Sequence, residues 1–334
     1  MTTLAPSTSI VPITPTQAIR SPRPLTWQTA LFLGGWVLLA TMVFHVVALF
    51  VTGGDVTGPV SLRKPADFAE TGWLACWAVA LVLPHVAMGR VREAVVAGSV
   101  LLFGFAETTV MAIQAWRGVP SHYNFTTTFD AILMRGGAAG TAGVFLVGMV
   151  VLLVSSLRTR ASDETPGSLL LGVRLGVVVM LIGCVIGFVM ISNMSGIWNG
   201  EFGSAFGEPQ SGYLGPTPAQ VGHEYVLLRP DTDGGDLVLL HAIGIHGLVL
   251  VTIPAALLAM TAVPELWRRG LVWTTAAAVL GSMAVIASQS FRSQPLGEMG
   301  WLRMSLLAVA AVAALSSYAV IVVAWMRSRR TQAP

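Results

Sequence analysis

The sequence predicts an all-α fold: a polytopic integral membrane bundle of about eight transmembrane helices, with N- and C-termini cytoplasmic. Three observations predict it. Only 10% of the 334 residues are charged while 54% are hydrophobic, whereas a soluble domain carries about 25% charged residues. The apolar residues gather in runs of about 20, the length that crosses the hydrocarbon core of a bilayer. The arginines stand in short pairs between these runs, the arrangement that flanks membrane helices. This balance excludes a cytosolic enzyme and a disordered chain. The basic residues form no soluble patch, which also excludes a nucleic-acid partner. The expected partner is the lipid bilayer, with a lipophilic small molecule as the fitting ligand class.

Residues 1–25 are rich in Thr, Pro and Ser, have no helical period, and read as a disordered cytoplasmic tail. An eight-helix domain over 26–326 follows, and 327–334 reads as a second cytoplasmic tail. The spans are expected at Trp27–Val51, Gly72–Gly89, Ala94–Trp116, Gly136–Val154, Ser168–Ser192, Leu237–Ala262, Leu271–Ser288 and Trp301–Trp325. Pro84 should kink the second of these.

Alternate loops hold Arg20 and Arg23, Arg90 and Arg92, Arg158 and Arg160, Arg268 and Arg269, then Arg327, Arg329 and Arg330. The positive-inside rule makes that side cytoplasmic. The 53–71 loop, with Arg63 and Lys64, is the exception and falls outside. Residues 117–135 and the long 193–236 loop are external too. The latter carries Glu201, Glu208, Glu224, Asp231, Asp233 and Asp236 against Arg229. Lys64 is the single lysine among 19 basic residues, a ratio that points to a GC-rich bacterium and so to its cell membrane. Cys76 and Cys184 lie inside apolar runs and read as small hydrophobes.

Ionisable residues at bilayer depth cost about 2.5–3.5 kcal/mol each on insertion scales and mark functional sites. They are His45, His85, Glu107, Arg174, His241 and His246. Arg174 is placed to snorkel towards the cytoplasmic surface, and His85 reads as a helix-end histidine bonded to a carbonyl. The other four share a depth. At 1.5 Å per residue, His45, Glu107, His241 and His246 lie roughly 9, 13, 6 and 13 Å inside the outer surface.

Gln114 follows Glu107 by seven residues, so both lie on one helix face. That face continues into Arg117, Ser121, His122 and Asn124, a polar column leading from the surface to a buried carboxyl. Asp130 reads as the N-cap of a short interfacial helix. His241 and His246, five apart, stand about 140° apart on a helix and do not chelate one ion as an i, i+4 pair does. Gly244 and Gly247 beside them admit a close neighbour.

These residues lead to a working expectation of a membrane enzyme, an oxidoreductase by preference, with a pocket in the outer half of the bilayer. His45, His241 and His246 are the candidate ligands of a haem or a transition metal. Glu107, Arg117 and His122 are the candidate catalytic groups, with Glu107 as proton donor or acceptor. Gln114 and Asn124 would bind substrate, and Arg117 suits an anionic or carbonyl-bearing one. Two alternatives stand beside it: a transporter or proton-coupled channel component, and a non-catalytic membrane assembly protein with a structural polar core.

Overall fold

The computed structural model describes residues 26–54, 56, 60–121, 124, 127–192, 237–292, 294 and 296–331. The N-terminal tail, His122 and the long 193–236 loop with its acidic residues lie outside the described residues. Regular structure among the described residues is entirely helical. The helices are α1 (Trp27–Thr52), α2 (Arg63–Val82), α3 (Arg90–Trp116), α4 (Thr128–Ile132), α5 (Thr141–Arg158), α6 (Gly167–Ser192), α7 (Val238–Ile245), α8 (Ile253–Ala259), α9 (Glu265–Ser290) and α10 (Trp301–Thr331). Two π-helical segments, Leu133–Gly140 and Leu248–Thr252, join α4 to α5 and α7 to α8.

Among the described residues, seven helical stretches are long and apolar enough to cross a membrane, or eight if the bent α7–α8 pair counts as one. Trp36, Val37, Phe44 and Val47 of α1 are exposed, as are Val309, Val312 and Leu315 of α10. Water penalises apolar faces of this extent, and lipid does not.

Local chemistry moves several helix ends away from the apolar runs. α2 starts at Arg63 instead of Gly72. Arg63 pairs with Asp67 one turn on at 2.9 Å, and Ser61 Oγ accepts from the Arg63 N–H at 3.1 Å. Arg63 and Lys64 therefore stand in a helical first turn and not in a loop. Pro84 ends α2 instead of kinking it, and a 3₁₀ turn over Leu83–His85 follows. The fourth span starts at Thr128, eight residues ahead of Gly136, because Thr127 caps it. At the C-terminus α10 runs on to Thr331, so the region expected to be a tail is helical as far as that residue. Arg329 and Arg330 in its last turn favour the negative end of the helix dipole.

The sixth span is the least regular. It bends by 43° between Ile245 and Leu248, a break that its unbroken apolar run hides. Pro254 lacks an N–H for the carbonyl of Leu250, four residues back. The π-helical turn over Leu248–Thr252 lies directly before it.

Contacts between helix ends show how the chain alternates. Gln28 Nε2 donates to Ala80 O at 2.9 Å, His85 Nδ1 to Glu164 O at 3.0 Å and the Ala87 N–H to Thr159 Oγ1 at 3.0 Å. Ser168 donates its N–H and hydroxyl to Glu265 at 2.6 and 2.8 Å. The starts of α1, α3, α6 and α9 thus meet the ends of α2 and α5 at one end of the bundle. Arg174 also belongs to that end, where it donates to Ser156 O at 2.7 Å and Thr159 O at 3.4 Å. It caps the carbonyls at the end of α5.

Two buried apolar clusters fill the interior. One joins α1, α2, α3 and α5 to α6, and the other joins α6 to α7, α8, α9 and α10. The seam between α6 and the broken span is made of glycine. A Cβ on Gly183 would lie 2.5 Å from the backbone of Gly244 and Ile245, and one on Gly187 would lie 2.7 Å from the His241 ring. Backbones approach this closely only where side chains are absent.

Candidate functional site

α3 carries Glu107, Met111 and Gln114 on one buried face, as the seven-residue spacing requires. Arg117 follows as its C-cap. Above this face sits α4. Thr127 Oγ1 accepts from the Asp130 N–H at 3.1 Å and donates to Asp130 Oδ2 at 2.6 Å. This is a reciprocal capping arrangement. The N-cap is therefore Thr127, and Asp130 is the third residue of the helix.

That position turns the Asp130 carboxylate inward, where only 1% of the residue is exposed. Gln114 Nε2 donates to its Oδ1 at 2.8 Å, and Arg117 pairs with the same oxygen at 2.6 Å. Arg117 also donates to Gln114 Oε1, and its guanidinium lies over the Phe129 ring, 4.9 Å from the centroid. A buried carboxylate is tolerated when it is paired and hydrogen-bonded in this way. Gln114 is thus committed inside the protein and does not line an open entrance. Asn124 is also buried, with its Nδ2 donating to Pro120 O at 3.1 Å.

Glu107 lies deeper and is 4% exposed. Thr141 Oγ1 stands 3.4 Å from its Oε1, while Oε2 has no hydrogen-bond partner among the described residues. Thr141 follows the π-helical turn Leu133–Gly140 and donates to Gly137 O at 2.5 Å. Gly137 lets this turn close on α3, since a Cβ there would lie 2.5 Å from Val110 Cγ2. One helical turn from Glu107 on α3 and from Thr141 on α5, the rings of Phe103 and Phe145 stack 4.4 Å apart. Met111, fully buried, stands between Glu107 and Gln114 along the same face of α3, and among the described residues Glu107 makes no hydrogen bond to Gln114, Arg117 or Asp130. The expected polar column is therefore two separate sites: a closed Gln114–Arg117–Asp130 network and an isolated carboxyl.

The three histidines are held differently. Trp116 Nε1 donates to His45 Nε2 at 3.3 Å, and His45 Nδ1 bonds Thr41 O at 2.9 Å. Both ring nitrogens of His45 are occupied, so it has none left for a haem or metal. His241 Nδ1 bonds Gly183 O at 2.8 Å, and His246 Nδ1 bonds Ala242 O at 2.8 Å. Among the described residues no group of three or more His, Cys, Asp and Glu side chains is placed to hold a metal ion. His45, His241 and His246 do not come together as one ligand set.

Two features of this region were missed from the sequence. Asp130 is the ionic centre of the network with Gln114 and Arg117; its spacing from Thr127 signals the cap, but nothing local signals its pairing with Arg117. The α6 series Gly172, Gly176, Gly183 and Gly187 is readable as a helix-packing stripe. Comparison with protein-family models, with curated proteins and with solved structures finds no match to this chain.

Proposed function

We propose that this chain is a multi-pass transport protein of the bacterial cell membrane, with both termini cytoplasmic, and that Glu107 is its proton-carrying group. One observation carries the reading: Glu107 is buried at bilayer depth with an unpartnered Oε2, next to a π-helical turn. Buried carboxyls in membrane helices mark proton relays, and π-helical turns recur at functional sites. The sharply bent α7–α8 span supports the same reading, because broken helices build the central sites of transporters. A haem- or metal-dependent oxidoreductase draws less support, since its proposed ligand set loses His45 to Trp116.

Infrared difference spectroscopy of the purified protein, between mildly acidic and mildly alkaline buffer, tests the reading. A protonated carboxyl band should appear and vanish with pH, and Glu107→Gln should delete it. Difference spectra identical in the two proteins would remove Glu107 as a proton carrier.

A further inference from the structure

We propose that Glu107, Thr141 and the carbonyls of Gly137 and Ala138 form a binding site for sodium. This rests on the transport reading and names the ion that competes with the proton at the same carboxyl. The site consists of oxygen atoms. Around Thr141 Oγ1 stand Gly137 O at 2.5 Å, Ala138 O at 3.2 Å and Glu107 Oε1 at 3.4 Å. The Thr141 hydroxyl has one hydrogen to share among these three acceptors, so a cation on its oxygen would serve acceptors that the single hydrogen leaves unserved.

The separation of Thr141 Oγ1 and Glu107 Oε1 is long for a hydrogen bond between oxygens, but it fits two ligands of one ion. With a hard cation about 2.4 Å from each, an edge of this length subtends roughly 90°, the angle between adjacent ligands in octahedral coordination. Glu107 Oε2 supplies a further ligand that has no other partner. The Ala138 carbonyl accepts the Thr141 N–H, and a carbonyl oxygen has a second lone pair for a cation.

Charge selects the ion. One carboxylate neutralises one positive charge, so a monovalent cation leaves the buried site neutral. Calcium uses six to eight oxygens, commonly from several carboxylates, and among the described residues Glu107 is the single carboxylate in this cluster.

The test is thermal unfolding of the full-length protein in detergent, with NaCl, KCl or choline chloride added at equal ionic strength. NaCl at about ten times its Kd should raise the midpoint by about 3–5 °C, well beyond KCl and choline chloride. Glu107→Gln, and Thr141→Val with its hydroxyl removed, should abolish the sodium-specific part, while Thr141→Ser should retain it. If Glu107→Gln does not fold, the Thr141 pair decides. Equal shifts with all three salts, or a sodium response that survives in Glu107→Gln or Thr141→Val, would overturn the site. Failure of the sodium response with the Glu107 infrared band present sinks sodium alone; a wild-type difference spectrum without any band that Glu107→Gln removes sinks the proton reading.

Discussion

Tyr318 of α10 donates its hydroxyl to the carbonyl of Leu250 at 3.0 Å, and Leu250 stands four residues before Pro254. Proline has no N–H for that carbonyl, so a side chain from another helix supplies the missing donor. The same solution appears at the other proline break. Pro84 deprives Ala80 O of its donor, and Gln28 Nε2 of α1 provides one at 2.9 Å. In both cases an irregular backbone inside an apolar bundle is satisfied from a neighbouring helix, as a membrane interior requires.

Tyr318→Phe should therefore destabilise the protein by about 1 kcal/mol, measured by thermal unfolding in detergent. In a Pro254→Ala background the helix regains its own donor. The cost of Tyr318→Phe should then fall to less than half. An unchanged cost would mean that the hydroxyl contributes through packing and not through the orphaned carbonyl.

The glycine seam makes a second prediction. A methyl group at Gly183 meets the Gly244 and Ile245 backbone at 2.5 Å, and backbone does not move aside cheaply. Gly183→Ala should cost about 2 kcal/mol or more through overpacking. Gly98 of α3 has nothing within 4 Å of an added Cβ, so Gly98→Ala should be neutral or stabilise by about 0.5 kcal/mol. Unfolding midpoints of the two variants should therefore separate clearly.

The centres of the spans were legible in the sequence because a run of about 20 apolar residues matches the thickness of the hydrocarbon core and exceeds most buried soluble helices. Their ends were less so. The Arg63–Asp67 pair and the Thr127 cap build helical turns from polar residues, and hydropathy reads such turns as loop. The break after Ile245 was hidden because its apolar run continues through it. For the candidate site, periodicity correctly put Glu107 and Gln114 on one face. It did not show that Met111 would divide them. His45 looked available as a ligand because its Trp116 partner lies on another helix, 71 residues away.

Orientation is open to a direct test. Both native cysteines are buried, which leaves a quiet background for labelling. Asp163→Cys, in the loop between α5 and α6, should react with a membrane-impermeant maleimide only after cells are opened. Glu298→Cys, between α9 and α10, should react on intact cells. Both positions are exposed, so accessibility depends on the membrane side. The reverse pattern would invert the topology, and labelling of both from outside would break the alternation.

The Arg117–Asp130 pair yields the most quantitative prediction, because its two members differ sharply in exposure. The Asp130 side chain is 2% exposed and that of Arg117 is 38% exposed. Removing the arginine takes its positive charge from a carboxylate where water does not reach, while Gln114 and the Thr127 hydroxyl continue to donate to it. Removing the charge on Asp130 strands a guanidinium that still reaches solvent. Arg117→Ala should therefore cost about 2 kcal/mol, below the 3–5 typical of a fully buried broken pair, and Asp130→Asn about 1 kcal/mol. The double variant should cost less than the sum by about 1 kcal/mol, since neither charge is then left alone. Unfolding of the four proteins measures this coupling directly. Additive costs would show that Arg117 is held by its stacking on Phe129 and that the ion pair contributes nothing of its own.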